Sequence, residues 1–260
     1  MVADLKRAWQ RGAEDNIGIV AAGIAHYALL ALVPALAALV LSYGLIAEPS
    51  TVAGHVTVLA EKLPPSAAEL IASQLKSVAS GAAGAQGLGL AASLGIALFG
   101  ARNGARSLMT GLNIVFHADE PRGFIKANLV AVAITGAGLA GLITAGIGSA
   151  ALASLDGTIG GIASLAFLFA IAVLGAGLLY RFAPNAPRPP WAAIWPGAFV
   201  FAVCWLAATG AFAFYAANFG SYNATYGALG AVLALITWFW ATGFLLLFGA
   251  LIAALRDSPS

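Results

Sequence analysis

Apolar residues in this chain run on for about 20 positions at a time, the length a helix needs to cross the hydrocarbon of a bilayer. Six such runs stand out, at roughly 18–46, 88–114, 127–150, 159–180, 192–216 and 226–254. Their length and the missing dyad alternation speak for helices, because strands of a membrane barrel would take about ten residues each with turns between them. The first and last runs exceed the length required, so they tilt, bend or project beyond the bilayer. Pro34, in "LLALVPALAALV", removes a backbone hydrogen bond and is the natural place for the first span to bend.

The polar segments between these runs differ in kind. Residues 1–16, "MVADLKRAWQRGAEDN", are charged and amphipathic, and no small-x-small cleavage site follows them, so the first span is read as retained. A single membrane domain follows over 17–256, with a short tail at 257–260. Residues 48–86 form the one long connection, where Val52, Val56 and Leu59 repeat at helical spacing before "KLPPSAAEL" breaks and restarts the helix. Ser66 and Glu69 have capping-box spacing, so a helical hairpin is expected there, with 80–87 as a flexible joint. The connection at 181–191 is stiff with proline, and Trp191 and Trp195 sit where they would anchor the fifth span at an interface. "NFGSYNATYG", 218–227, is polar but uncharged; Asn218, Tyr222, Asn223 and Tyr226 are its expected structural positions, folding back into protein or interface.

Composition changes the picture in one respect. With 61% hydrophobic and only 8% charged residues, too few charges exist to cover a water-soluble surface, so lipid is the solvent for most of the chain. The net charge of +2 says little, but its distribution says much. Lys6, Arg7, Arg11, Arg122, Lys126, Arg181, Arg188 and Arg256 all fall on one side of a six-span scheme, against Lys62 and Lys76 on the other. By the positive-inside rule both termini are cytoplasmic and the 48–86 hairpin is external. The expected fold is therefore all-α, a polytopic protein of the bacterial inner membrane with six transmembrane helices.

Two arginines depart from this partition. Arg102 and Arg106, in "GIALFGARNGARSLMTGLN", are spaced i, i+4 and lie on one face of the second span. Either they snorkel to phosphate headgroups, or they line a cavity and bind an anionic headgroup, with Asn103 and Asn113 as neutral donors. No acidic residue lies within a span to pair with them. His26 and Tyr27, in the cytoplasmic third of the first span, are further candidate contacts, although packing and interfacial anchoring account for them as well. The 31 glycines include small-xxx-small pairs at Gly100 and Gly104 and at Ala137, Gly141 and Ala145, where helices are expected to approach closely. Those runs fit a homo-oligomer and a well-packed monomer equally.

No metal, cofactor or catalytic constellation is expected. Cys204 is alone, His26, His55 and His117 have no ligand spacing, and there is no GxSxG or phosphate loop. Nothing resembles a basic domain that could track a nucleic-acid backbone.

The segments "AAGIAHYALLALVPALAALV", "ARNGARSLMTGLNIVFHADEPRGFIKANLVAV" and "RFAPNAPRPPWAAIWPGAFVF…NFGSYNATYGALGAV" resemble the YihY/BrkB family of bacterial inner-membrane proteins over most of 15–254. The resemblance implies six spans. Members have been labelled ribonuclease BN and serum-resistance virulence factors; handling of anionic lipids or other envelope components fits the residues of this chain better. A membrane scaffold that binds envelope protein partners is the alternative. The family's final helix often ends in Gly-Ala-Glu-Leu-Asn, where this chain reads "GALIA", with Leu251 and Ala253 at the polar positions.

Overall fold

The protein is described by a computed structural model covering residues 2–46, 83–119, 122–155, 157–218 and 223–257. Seven helices occupy the described residues: α1 (Val2–Glu14), α2 (Ile17–Ile46), α3 (Ala83–Val115), α4 (Phe124–Ala153), α5 (Gly157–Phe182), α6 (Trp191–Asn218) and α7 (Asn223–Asp257). No strand is found among them. Helices α4, α5, α6 and α7 are each long and apolar enough to cross a membrane, and α1 with α2 forms a fifth candidate bent by 72°. That bend falls at Asp15–Asn16, where Asn16 takes a left-handed conformation (φ 52°) that asparagine tolerates better than most residues. Pro34 lies inside α2, and its side chain falls outside the described residues, as do residues 47–82, which hold most of the hairpin expected at 48–86.

The chain divides into two compact units, Met1–His26 with Arg102–Ser260, and Tyr27–Ala101. In the smaller unit α2 and α3 touch where Gly100 lies against Ala31; a Cβ at Gly100 would stand 2.9 Å from the Ala31 Cα. Only hydrogen in place of a side chain permits that approach.

The larger unit has its core at one end. Buried residues come from the start of α2 (Ile17, Ala21), the end of α3 (Leu112, Val115), the start of α4 (Ala127, Ala131), the end of α5 (Ala176, Tyr180), the start of α6 (Ile194, Ala198) and the end of α7 (Leu247, Leu251). Helix α1, the end of α7 and the described parts of the connections at 116–123 and 183–190 meet at this same end. Arg256 pairs with Asp4 at 3.0 Å, Arg11 donates to the Val115 carbonyl at 2.9 Å, and Arg122 donates to the Ala183 carbonyl at 3.0 Å. Six of the eight cations that the sequence assigns to one face belong to these segments, with Arg181 in the last turn of α5 and Lys126 in the first turn of α4 beside them. Away from this end the helices turn apolar side chains outward, as Leu139, Leu142, Ile143, Ile147, Ile159 and Leu165 do. Such a surface suits lipid and not water. Helix α7 is the central one: 39% of its apolar window is buried, against 6% for α4 and 11% for α5.

Two expectations need correction. The joint at 80–87 is in part helical, because α3 already begins at Ala83; glycine is tolerated in apolar helices, where water does not compete for the backbone. The glycine run of α4 makes a helix contact only at its end, where a Cβ at Gly148 would run into the Phe167 ring of α5. A Cβ added at Gly136, Gly138, Gly141 or Gly146 would meet nothing within 4 Å. Close approach of two backbones occurs at Gly197 of α6 and Gly249 of α7. A methyl at Gly197 would run into the Gly249 carbonyl, and one at Gly249 into the Tyr180 hydroxyl.

Candidate functional site

Arg102 lies on α3 and reaches α4. Its Nε donates to the Asn128 Oδ1 at 3.1 Å, and Nη2 donates to the same oxygen. Asn128 is the fifth residue of α4, so the guanidinium is drawn towards the charged end of the molecule. Below this bond Ala105 and Met109 pack on Ala131 and close the seam between the two helices. An amide oxygen satisfies hydrogen bonds but contributes no charge, so Arg102 keeps its full positive charge at the edge of the apolar zone.

Arg106, one turn nearer the charged end, is exposed, and no hydrogen bond or ion pair to it is found among the described residues. Asn103 is half-buried. On α4, Ile125 and Leu129, which flank Asn128 in sequence, are 75% and 65% exposed. The pair is therefore split in role. One guanidinium is held by a neighbouring helix, and the other is exposed.

Asn113, expected as a donor near the arginines, belongs to a different cluster. It is buried, and its Oδ1 accepts from the backbone N–H of Asn185 at 2.8 Å. Asn185 in turn donates from Nδ2 to the Asp119 carbonyl and accepts from Arg122 Nε at 3.0 Å. This network fastens the 116–123 connection to the proline-rich one. A second fastening is aromatic: the Arg181 guanidinium lies 4.7 Å over the Trp191 ring, and Trp191 stacks on Trp195 at 4.9 Å. His26 is exposed and Tyr27 half-buried on α2, both with partners of their own. The side chains of Asn218, Tyr222, Asn223 and Tyr226 lie outside the described residues, and Tyr222 lies there entirely.

Asn128 and Asn185 were not singled out by sequence reading. Asn128 had a usable signal, a lone amide in the apolar stretch "KANLVAV". Asn185 had none, since an asparagine between prolines reads as an ordinary turn residue. Leu251 and Ala253, at the positions where polar residues are common in the resembling family, are wholly buried; Leu251 packs near Gly12 of α1. Among the described residues no three His, Cys, Asp or Glu side chains are grouped as a metal site would need.

A curated relative, described as a putative ribonuclease-like protein YfkH of Bacillus subtilis (strain 168), is 29% identical over 173 residues, 61% of this chain and 62% of its own length. No solved structure matches the chain. The family model described as virulence factor BrkB matches residues 8–259, almost the whole sequence. The chain belongs to the BrkB virulence-factor family.

Proposed function

We propose that this protein is a multi-pass protein of the bacterial cytoplasmic membrane, with both termini in the cytoplasm, that binds and translocates an anionic amphiphile recognised by Arg102 and Arg106. The observation that carries the reading is the uncompensated charge of the pair. Arg102 is oriented by a neutral amide, Arg106 is exposed, and neither meets a carboxylate among the described residues. Holding two such charges near hydrocarbon is unfavourable unless an anion completes them, and guanidinium groups suit phosphate and carboxylate geometry. An amphiphile supplies both the anion and the apolar tail that the neighbouring surface accepts. The relative's ribonuclease-like name is not carried over, because this chain offers no basic domain for a nucleic-acid backbone.

The exposure of Arg106 also supports a second reading, in which the pair anchors α3 to headgroups and the protein is a scaffold for envelope partners. Lipid retention separates the two. The wild type and an Arg102→Ala/Arg106→Ala variant, both shown to be folded in mild detergent, are compared by native mass spectrometry. Loss of a co-purifying anionic lipid from the variant, with affinity reduced about a hundredfold or more for two charge-assisted contacts, is the expected result. Identical lipids on both would assign the pair to anchoring and put the scaffold reading first.

A further inference from the structure

A different corner of the larger unit carries features of a ligand site that the arginine pair does not share. Helix α1 is amphipathic and leaves α2 at 72°, so the two form an elbow. One face of α1 is fixed to α7. Ala8 is wholly buried, Gly12 is so close to Leu251 that a Cβ would stand 3.1 Å from its Cδ1, and Asp4 is paired with Arg256. The other face presents Lys6, Arg7 and Gln10 to the surroundings, all exposed. Trp9 lies at the boundary of the two faces and is 64% exposed although it touches protein on one side.

What Trp9 touches is a row of rings on α7. Its ring centroid lies 6.2 Å from Phe244 and 6.4 Å from Phe248, edge to face. Phe244 stacks on Phe248 at 6.3 Å and on Trp240 at 5.4 Å, and Trp240 Nε1 donates to the Gly18 carbonyl of α2 at 3.0 Å. Trp240, Phe244 and Phe248 recur every fourth residue, so they form one ridge along α7. The ridge is bounded by α2 through the Trp240 bond and capped by α1 through Trp9. Phe244 and Phe248 are half-buried and Trp240 is 39% exposed, so the ridge keeps open surface beneath the exposed cations of α1.

We infer that this elbow is a binding site for an anionic phospholipid of the leaflet at the charged end. An acyl chain lies along the Trp240–Phe244–Phe248 ridge, and the phosphate lies beside Lys6 and Arg7. Tryptophan at the rim of such a site is in its preferred place, with an apolar ring and a polar N–H at headgroup level. The charge supports an anion. Asp4 is engaged by Arg256 and by Arg7 at 3.3 Å, Asp15 lies 3.7 Å from Arg11, and the exposed carboxylate of α1 is Glu14, two turns from Arg7. Lys6 is one turn before Trp9, and the carboxylate on its own turn, Asp4, is engaged by Arg256 and Arg7.

The test reads Trp9 directly, so its failure is distinct from failure of the arginine-pair reading. The full chain is reconstituted in vesicles that contain brominated phosphatidylglycerol or brominated phosphatidylcholine. Fluorescence quenching is recorded for the wild type and for Trp9→Phe, whose difference isolates Trp9 from the other five tryptophans. The expected result is that Trp9 is half-quenched at about fivefold less brominated anionic than zwitterionic lipid, the factor that corresponds to about 1 kcal/mol for a basic residue at an anionic surface. Lys6→Gln/Arg7→Gln should abolish the difference, and Arg102→Ala/Arg106→Ala should leave it intact. Equal quenching by the two lipids in the wild type, or a preference that survives Lys6→Gln/Arg7→Gln, would overturn the inference.

Discussion

His117 occupies a backbone position that favours glycine. It follows the end of α3 with φ 48°, and the turn there is hydrogen-bonded as a helix stop, His117 N–H to the Ile114 carbonyl at 3.1 Å and Ala118 N–H to the Asn113 carbonyl at 2.8 Å. A side-chain-bearing residue in this conformation costs about 1 kcal/mol relative to glycine. His117→Gly should therefore raise thermal stability in detergent by a margin of that size; an unchanged or lower melting temperature would show that the imidazole makes a compensating contact. The stop matters for the site because it places the Asn113 side chain where it receives the Asn185 N–H. From sequence, Asn113 was grouped with the arginines by proximity along the chain. The helix puts it three turns away from Arg102 and in the opposite polar cluster.

At the scale of elements, glycine proves to have two roles that its spacing does not distinguish. The α6–α7 contact depends on Gly197 and Gly249, since any side chain at either would strike backbone or the Tyr180 hydroxyl, which itself donates to the Leu246 carbonyl at 2.7 Å. The run in α4 borders nothing within 4 Å at Gly136, Gly138, Gly141 and Gly146. Gly249→Ala is thus expected to destabilise the protein by about 1–3 kcal/mol or more, as overpacking does. Gly138→Ala should be neutral or stabilising by about 0.5–1 kcal/mol, because alanine favours the helix. Comparing both variants by thermal denaturation checks the contrast, and a strongly destabilised Gly138→Ala would mean that this face is covered by a second chain.

At the scale of the molecule, the charged end is held together by interactions that respond to pH. The Arg256 guanidinium, bonded to Asp4, holds that carboxyl below the ordinary value of 3.8, opposed in part by desolvation. A depressed pKa in the folded state means that the ionised form stabilises. The contribution is fully present above pH 3.8 and is lost as pH falls through the lower folded-state value. Proteolytic release of α1 should accordingly rise below pH 3.8 in the wild type, whereas Asp4→Asn should show raised, pH-independent release through the same window. No difference between the two proteins would exclude this ion pair as a fastening of α1.

Composition and run length alone determined that the chain is helical and lives in lipid, because hydrocarbon admits only segments whose backbone groups are satisfied internally. They also determined that eight of the twelve cations fall on one side of the apolar runs, since charge is mostly excluded from the runs themselves. The resemblance to the BrkB family was legible in uninterrupted blocks such as "ARNGARSLMTGLN". Which glycines support a helix crossing, which amide orients Arg102, and which rings meet Trp9 were not legible. Each depends on helix rotation and crossing, and an apolar helix that is hydrophobic all round carries no moment to say which face turns inward. Tertiary packing alone decided that Asn128, 26 residues from Arg102, accepts its hydrogen bonds, and that α1 folds back on α7 beneath a row of aromatic side chains.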